Sequence, residues 1–440
     1  MKKRIAFTLT WKRIAGLLAA GVAAALAVSL SGLVSIAASS GHFAPVGWFL
    51  HWTMQNAVAR QSLGISVPED IDLSDPALVQ RASGHFATGC APCHGAPGIE
   101  QSPVVLSMTP HPPRLEGQVG EWADRELFWI LKHGIKYSGM PAWPTQERDD
   151  EVWAQVAFLR AYPEMSPQTY ADLALGGERG SAVSATASGE ETAGLDGIAA
   201  DALTDCARCH GRDGLGRGEG ASASAFPVIA GQSEAYLKAT LQAYDLGFRH
   251  SGFMQPPASR YPDEVLDALA LWYANQPLPG ATTPATSDEI QTAGADPRAE
   301  APLETGRETA KQDGVPPQIF PSANRSEAAF SIAAAAGGLP EGDEVALLAL
   351  GRTIAEQGIP ARKIPACDSC HAAEGRAKND LYPYLGGQPA WYIDTHLHLW
   401  KEGTRSGTRF AHLMDKIAIQ MTDEQIEAVA AWYASRPVGE

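Results

Sequence analysis

All six cysteines of this 440-residue chain fall into three copies of one spacing: Cys90-Ala-Pro-Cys93-His94, Cys206-Ala-Arg-Cys209-His210 and Cys367-Asp-Ser-Cys370-His371. Cysteines three apart share one face of a helical turn, so their sulfurs can meet two vinyl groups on one edge of a porphyrin. The histidine that follows can then turn its imidazole toward the iron. C-x-x-C-H is therefore the attachment signal for c-type haem, and it predicts three covalently bound haems c on one chain. A redox dithiol, half of a zinc site and a disulfide are the competing chemistries of a C-x-x-C pair. Zinc needs motifs close enough to share a metal, and these are far apart in sequence. None of the alternatives accounts for the same histidine three times.

A haem that carries electrons needs a sixth ligand, and methionine in that position raises the potential. The chain has eight methionines. Met254 ("SGFMQPP") is the candidate for the second motif. Met414 and Met421 ("AHLMDKIAIQMTDEQ") compete for the third. Met414 stands before Thr422 as Met254 stands before Pro262, so Met421 reads as a core residue. For the first motif, Met140 ("YSGMPAWP") matches the spacing of the other two, whereas Met108 follows His94 too closely. His133, His250 and His412 lie just before the chosen methionines, which leaves bis-histidine ligation open. Trp272, Tyr273, Trp432 and Tyr433 read as packing against haem or the opening helix, with an electron-relay role as the alternative.

The elements that must position these groups read as helices. Three segments begin near a Cys pair and close on an apolar helical pattern: "DDEVWAQVAFLRAYP", "PDEVLDALALWYANQP" and "TDEQIEAVAAWYASRP". In the first, Val152, Val156 and Leu159 lie on one stripe. The last two open acidic and stop at proline, as helices do. Segments two and three form an internal repeat, with Gly231, Gln232, Tyr236 and Arg249 matching Gly387, Gln388, Tyr392 and Arg405. Strand signals are scarce. The fold class is all-α, with three haem units in tandem at residues 80–163, 196–277 and 343–440. Residues 164–195 and 278–342, rich in Gly, Ser, Ala, Pro and acidic side chains, bury too little apolar surface to order themselves and read as a loose linker and a disordered one.

Upstream of these units, the basic "MKKRIAFTLTWKR" precedes an uncharged run from Ile14 to Ala38. A spanning helix needs about 20 residues, more than a secretory h-region. Residues 1–40 therefore read as an anchor in the inner membrane, with a cleaved signal peptide as the alternative. Lysines and arginines of the first residues stay cytoplasmic and place everything after the span on the periplasmic side. Residues 41–79 connect the anchor to the first unit, and Trp48, Phe49 and Trp52 suit a membrane interface. Fifty acidic against 34 basic residues give a net charge of -16. That excludes nucleic acid as a partner and favours a redox partner with a basic patch.

On these motifs the sequence resembles the class I c-type cytochromes over residues from about 80 to 162, 195 to 277 and 345 to 438. Units two and three resemble the small domains of diheme cytochromes of the c4 and c553 kind, on "CARCHGRDGLGRG" with "FPVIAGQ...YL" and "IPACDSCHAAEG" with "YPYLGGQ...YI". Unit one resembles the cytochrome domain of cbb3-oxidase subunit III, on "FWILKHGIKYSGMPAWP". The resemblance implies haem attachment through the six cysteines, His94, His210 and His371 as proximal ligands, and Met140, Met254 and Met414 as distal ones. Two features depart from the pattern: Ala372 replaces a glycine, and the segment before unit three is long. Iron with both axial positions filled offers no substrate site, so the chain by itself is expected to carry electrons rather than catalyse. The leading expectation is a respiratory carrier that links a quinol-oxidising complex or soluble cytochrome to a terminal oxidase. The alternatives are the electron-exit subunit of a membrane dehydrogenase, and a haem peroxidase, which would need an open iron.

Overall fold

The computed structural model describes residues 10–175, 195, 197–216, 224–279, 341–371 and 379–439. Helices make up its regular structure; among the described residues the only pairings of β type are two isolated bridges, Ala96 with Ile99 and Ile359 with Ile364. The protein is all-α. The expected disorder of 278–342 and the Ala372 substitution fall almost wholly outside the described residues, as do residues 1–9 of the basic leader.

Helix α1 (Trp11–Ser31) is apolar and exposed along its length, and it ends at Gly32 in the left-handed conformation. By length and composition it could cross a membrane. Helix α2 (Ala44–Gln61) follows, with Trp48 and Trp52 stacked at 6.3 Å and exposed while Val58 is buried.

Each haem motif then sits between an opening and a closing helix that cross. In the first unit α3 (Pro76–His85) runs through a π-helical turn, Phe86–Cys90, into the motif helix α4 (Ala91–His94). Asp75 caps α3 by accepting from Ala77 N–H at 2.9 Å. Helix α5 (Asp124–His133) is capped by Glu126, which accepts from Ala123 N–H at 2.9 Å. The closing helix is α6 (Asp149–Ala161), and it packs on α3. Its single-stripe pattern understates it: every residue from Glu151 to Leu159 is buried. The reason is that α6 packs on α3 along one side and on α5 along the other, with Trp153 stacked on Phe128, while the second unit covers its first turn at Glu151.

Composition hid one element. Residues 164–175, read from sequence as the start of a loose linker, contain α7 (Pro167–Ala174), capped by Ser166. Its Tyr170 is 1% exposed and meets Phe86 edge-on. Burial of one such aromatic contributes about 1.5–3 kcal/mol, enough to hold a short helix that composition alone would leave loose.

The second unit consists of α8 (Ile198–His210), which carries the motif at its end, then α9 (Glu234–Asp245) and α10 (Asp263–Ala274). Leu203, Leu237, Val265, Leu269 and Tyr273 form its core. The third has α11 (Glu341–Gln357), the motif turn α12 (Asp368–His371), α13 (Ala390–Lys401), α14 (Ala411–Ala418) and α15 (Asp423–Ala434). Ile354, Ile393, Ile426, Val429 and Tyr433 form that core. Helices α11 and α15 meet at Gly351, where a methyl would fall 2.0 Å from Ala428 O. Only glycine permits so close a crossing.

Candidate haem sites

The three motif histidines share one arrangement. His94 Nδ1 lies 2.8 Å from Pro113 O, His210 Nδ1 3.2 Å from Pro227 O, and His371 Nδ1 2.9 Å from Pro383 O. An Nδ1–H that donates to a carbonyl leaves the Nε2 lone pair free for a metal and fixes the ring's orientation. Burial holds all three imidazoles below the ordinary histidine value, against the pull of the proline carbonyl. They are kept neutral, which is the ligating form. In the first two units a tyrosine bonds the carbonyl just after the histidine: Tyr162, immediately past α6, donates to Gly95 O at 3.4 Å, and Tyr273 of α10 donates to Gly211 O at 3.0 Å. Trp272 donates to Arg212 O at 3.2 Å, and Tyr433 donates to Asp368 at 2.5 Å. Trp272, Tyr273 and Tyr433 thus bond to the motif segments, while Trp432 meets the opening helix at Gly351 as expected.

The cysteines form no disulfides with one another, and each is partly buried. Burial pushes Cys90, Cys206 and Cys367 up to about 12 and Cys209 to about 11. A dithiol reagent needs the opposite, a thiolate stabilised near neutral pH.

The methionine segments return to the cores by local turns. In the first unit Gly134, at φ 64°, lets the chain double back after α5, and a methyl there would lie 2.5 Å from the Pro141 carbonyl carbon. Ile135 N–H donates to Met140 O at 3.2 Å and Met140 N–H to Ser138 Oγ at 3.1 Å, which places the Met140 side chain against the first core. Met254 N–H donates to Ser251 Oγ at 3.0 Å. Met414, on α14, packs against the third core, and Met421 is buried inside it. Met108 is nearer the first site than its spacing suggested, since a methyl on Gly139 would lie 2.6 Å from Met108 Cε. The competing histidines have other neighbours: His133 faces Trp129, His250 lies 3.8 Å from Glu147, and exposed His412 lies 3.2 Å from Arg409 O.

Buried side-chain nitrogens without an acceptor among the described residues include Arg125 Nε, Arg208 Nε, Arg212 Nη1, Arg249 Nε, Arg405 Nη1 and Trp400 Nε1. Arg208 lies inside the second motif, and Arg212 follows its histidine. Buried donors need acceptors, and the two carboxylates of haem would supply them for the arginines beside the motif. The residues present therefore fit the group.

Sequence reasoning missed how the units are joined. Glu151 of α6 accepts from Ser251 Oγ and Gly252 N–H of the second unit, both at 2.5 Å, and pairs with Arg148 at 2.9 Å. Arg148 in turn donates to His250 O at 3.1 Å. Phe253, next to Met254, packs on the first core beside His85 and Trp143. A methyl on Gly84 would fall 2.8 Å from Cys209 Sγ, so the second motif abuts the helix that leads into the first. Between units two and three the join is reciprocal. Gln232 bonds both backbone groups of Tyr384, and Gln388 bonds both of Val228. Arg81 of the first unit lies 3.4 Å over the Trp391 ring of the third. One signal was available: Pro-Arg-Leu-Glu-Gly-Gln (113–118), Pro-Val-Ile-Ala-Gly-Gln (227–232) and Pro-Tyr-Leu-Gly-Gly-Gln (383–388) repeat the carbonyl-bearing proline and the glutamine in all three units.

The family model for cytochrome c oxidase, cbb3-type, subunit III matches residues 77–159. Cytochrome c-554(548) of Halomonas halodenitrificans is 36% identical over 74 residues, covering 17% of this chain and 88% of that protein. The chain is a class I c-type cytochrome. Its C-x-x-C-H motifs thus belong to a family that binds haem c covalently and works in electron transfer. Over 239 residues, 54% of the cytochrome, it is 28% identical to the thiosulfate dehydrogenase electron acceptor of Stutzerimonas stutzeri, 82% of which is covered. The solved structure of reduced recombinant cytochrome c4 from Pseudomonas stutzeri is 23% identical with a TM-score of 0.36, over 56% of this cytochrome and 100% of that chain.

Proposed function

We propose that this cytochrome is a membrane-anchored, periplasmic three-haem carrier that passes electrons along a respiratory chain toward a terminal oxidase. Cys90 with Cys93, Cys206 with Cys209, and Cys367 with Cys370 hold the three haems, with His94, His210 and His371 as proximal ligands and Met140, Met254 and Met414 as distal ones. Haem c ligated in this way supplies one-electron chemistry with no open coordination position for a substrate. The chain's own residues do the rest. The proline carbonyls fix the histidine rings, the buried arginines answer the haem carboxylates, and the Glu151 and glutamine contacts hold the sites side by side.

The observation that carries this reading is the continuity of the sites. Cys209 lies against α3 of the first unit, and the second and third units clasp each other reciprocally. Helix α1 serves as the anchor, with the Trp48–Trp52 face of α2 at the membrane surface. The oxidase direction draws on the subunit III model over the unit nearest the membrane.

A second reading is favoured by the relatives named as thiosulfate dehydrogenase electron acceptors: the cytochrome receives electrons from a periplasmic dehydrogenase of that class. The two readings join into one route, entering from a dehydrogenase and leaving to an oxidase. Purification of the tagged protein in mild detergent, followed by mass spectrometry of the chains that accompany it, separates them. Oxidase subunits support the first reading. A dehydrogenase without an oxidase sinks it and leaves the second. A high-salt wash that strips the protein from membranes would contradict the anchor.

A further inference from the structure

We propose that Gln388 and Gln232 are positioning residues that act across the seam, each on the proximal histidine of the other unit through a single peptide group. This rests on the assignment of His210 and His371 as iron ligands. The peptide between Pro227 and Val228 does two things. Its carbonyl accepts from His210 Nδ1 at 3.2 Å, and its N–H donates to Gln388 Oε1 at 3.0 Å. The peptide between Pro383 and Tyr384 repeats this with the units exchanged: its carbonyl accepts from His371 Nδ1 at 2.9 Å, and its N–H donates to Gln232 Oε1 at 3.1 Å. The amide nitrogens complete each clasp, Gln388 Nε2 donating to Val228 O at 2.7 Å and Gln232 Nε2 to Tyr384 O at 3.1 Å. Both glutamines are 3% exposed, so water does not compete for these bonds.

A peptide whose N–H is bonded carries more negative charge on its oxygen, and hydrogen bonds in such chains strengthen one another by about 10–30%. The stronger acceptor draws on the imidazole N–H and makes the opposite nitrogen a better donor to the metal. A more basic axial ligand favours the oxidised iron, so each glutamine lowers the potential of the haem in the opposite unit. Loss of Gln388 therefore raises the potential at His210, and loss of Gln232 raises the potential at His371. The two haems are tied to the intact seam: opening it would move both upward together.

The test uses the full chain in detergent, with Gln388→Met and Gln232→Met, which keep volume and remove the hydrogen bonds. Redox titration followed by haem-methyl NMR signals reads each haem separately. The expected result is crossed: Gln388→Met moves the haem at His210 and Gln232→Met the haem at His371. Each reduction equilibrium constant rises about threefold, or about 28 mV at 59 mV per tenfold. A shift confined to the haem of the substituted unit, or no shift, overturns the proposal. Should the methionine variants fail to fold, Gln388→Glu retains the acceptor for Val228 N–H. It is expected to leave the haem at His210 at or below its wild-type potential, and an upward shift there would overturn the proposal. If wild type lacks a low-spin six-coordinate spectrum, the ligand assignment has failed. A low-spin wild type without crossed shifts sinks the relay alone.

Discussion

Glu151 is the residue on which the join between the first two units most depends, and its removal has a calculable cost. The carboxylate is buried, pairs with Arg148 at 2.9 Å, and accepts from Ser251 Oγ and Gly252 N–H at 2.5 Å each. Glu151→Ala leaves Arg148, itself buried, with Asp150 as its remaining carboxylate at 2.7 Å, and strips two donors of the second unit of their acceptor. Breaking a buried ion pair costs about 3–5 kcal/mol, and each buried donor left unsatisfied about 1–3. These effects overlap, so we expect about 4 kcal/mol in total. Urea unfolding followed by far-UV circular dichroism measures it, and a double-mutant cycle with Ser251→Ala isolates the bond across the seam. That bond is charge-assisted, so the coupling should be about 1.5–3 kcal/mol. Ser251 Oγ also accepts from Met254 N–H, so Ser251→Ala alone should disturb the distal segment of the second site. A Glu151→Ala cost below about 1 kcal/mol, or a coupling near zero, would refute the claim that this carboxylate joins the units.

Three further outcomes are expected. His85 lies between Trp143 and Phe253, and burial lowers it from 6.5 to about 4, so the folded protein refuses a proton that the unfolded chain accepts. Its contribution is intact above about pH 6.5 and is lost as pH falls toward 4; at pH 4.5 the loss is about 2.5 kcal/mol, and His85→Phe should remove that acid limb from the urea midpoint. Met140→Ala should open the first iron to cyanide while Met108→Ala does not; rapid binding by the Met108 variant would exchange their roles. Met421→Ala should cost about 2–5 kcal/mol in thermal or urea unfolding and leave the visible spectrum unchanged, because its side chain belongs to the third core.

The three C-x-x-C-H motifs were legible because the attachment signal is local: two cysteines three apart and a histidine beside them. Helices α10 and α15 were legible for a similar reason, since acidic starts and proline stops are local. The joins between units were not. Ser251 with Glu151, and Gln232 with Tyr384, are 100 and 152 residues apart, and no local pattern links them. Nor did the stripe Val152–Val156–Leu159 reveal that α6 is covered all round, because periodicity reports one partner and α6 has two. Helix α7 was masked by the Gly- and Ala-rich stretch that follows it, although Ser166 before Pro167 is a helix-start signal that could have been used. The proline that receives each histidine was likewise in view, in a Pro-x-x-x-Gly-Gln repeat that aligning the first unit with the other two would have exposed.

Electron transfer along this chain, as proposed, depends on three haems held covalently by one polypeptide. Intact mass spectrometry of the purified protein after denaturation in acid tests it most directly, because noncovalent haem is lost and thioether-bound haem is not. The expected mass is that of the polypeptide plus three haems, falling by one haem in Cys206→Ala/Cys209→Ala. A wild-type mass carrying two haems or fewer would contradict it.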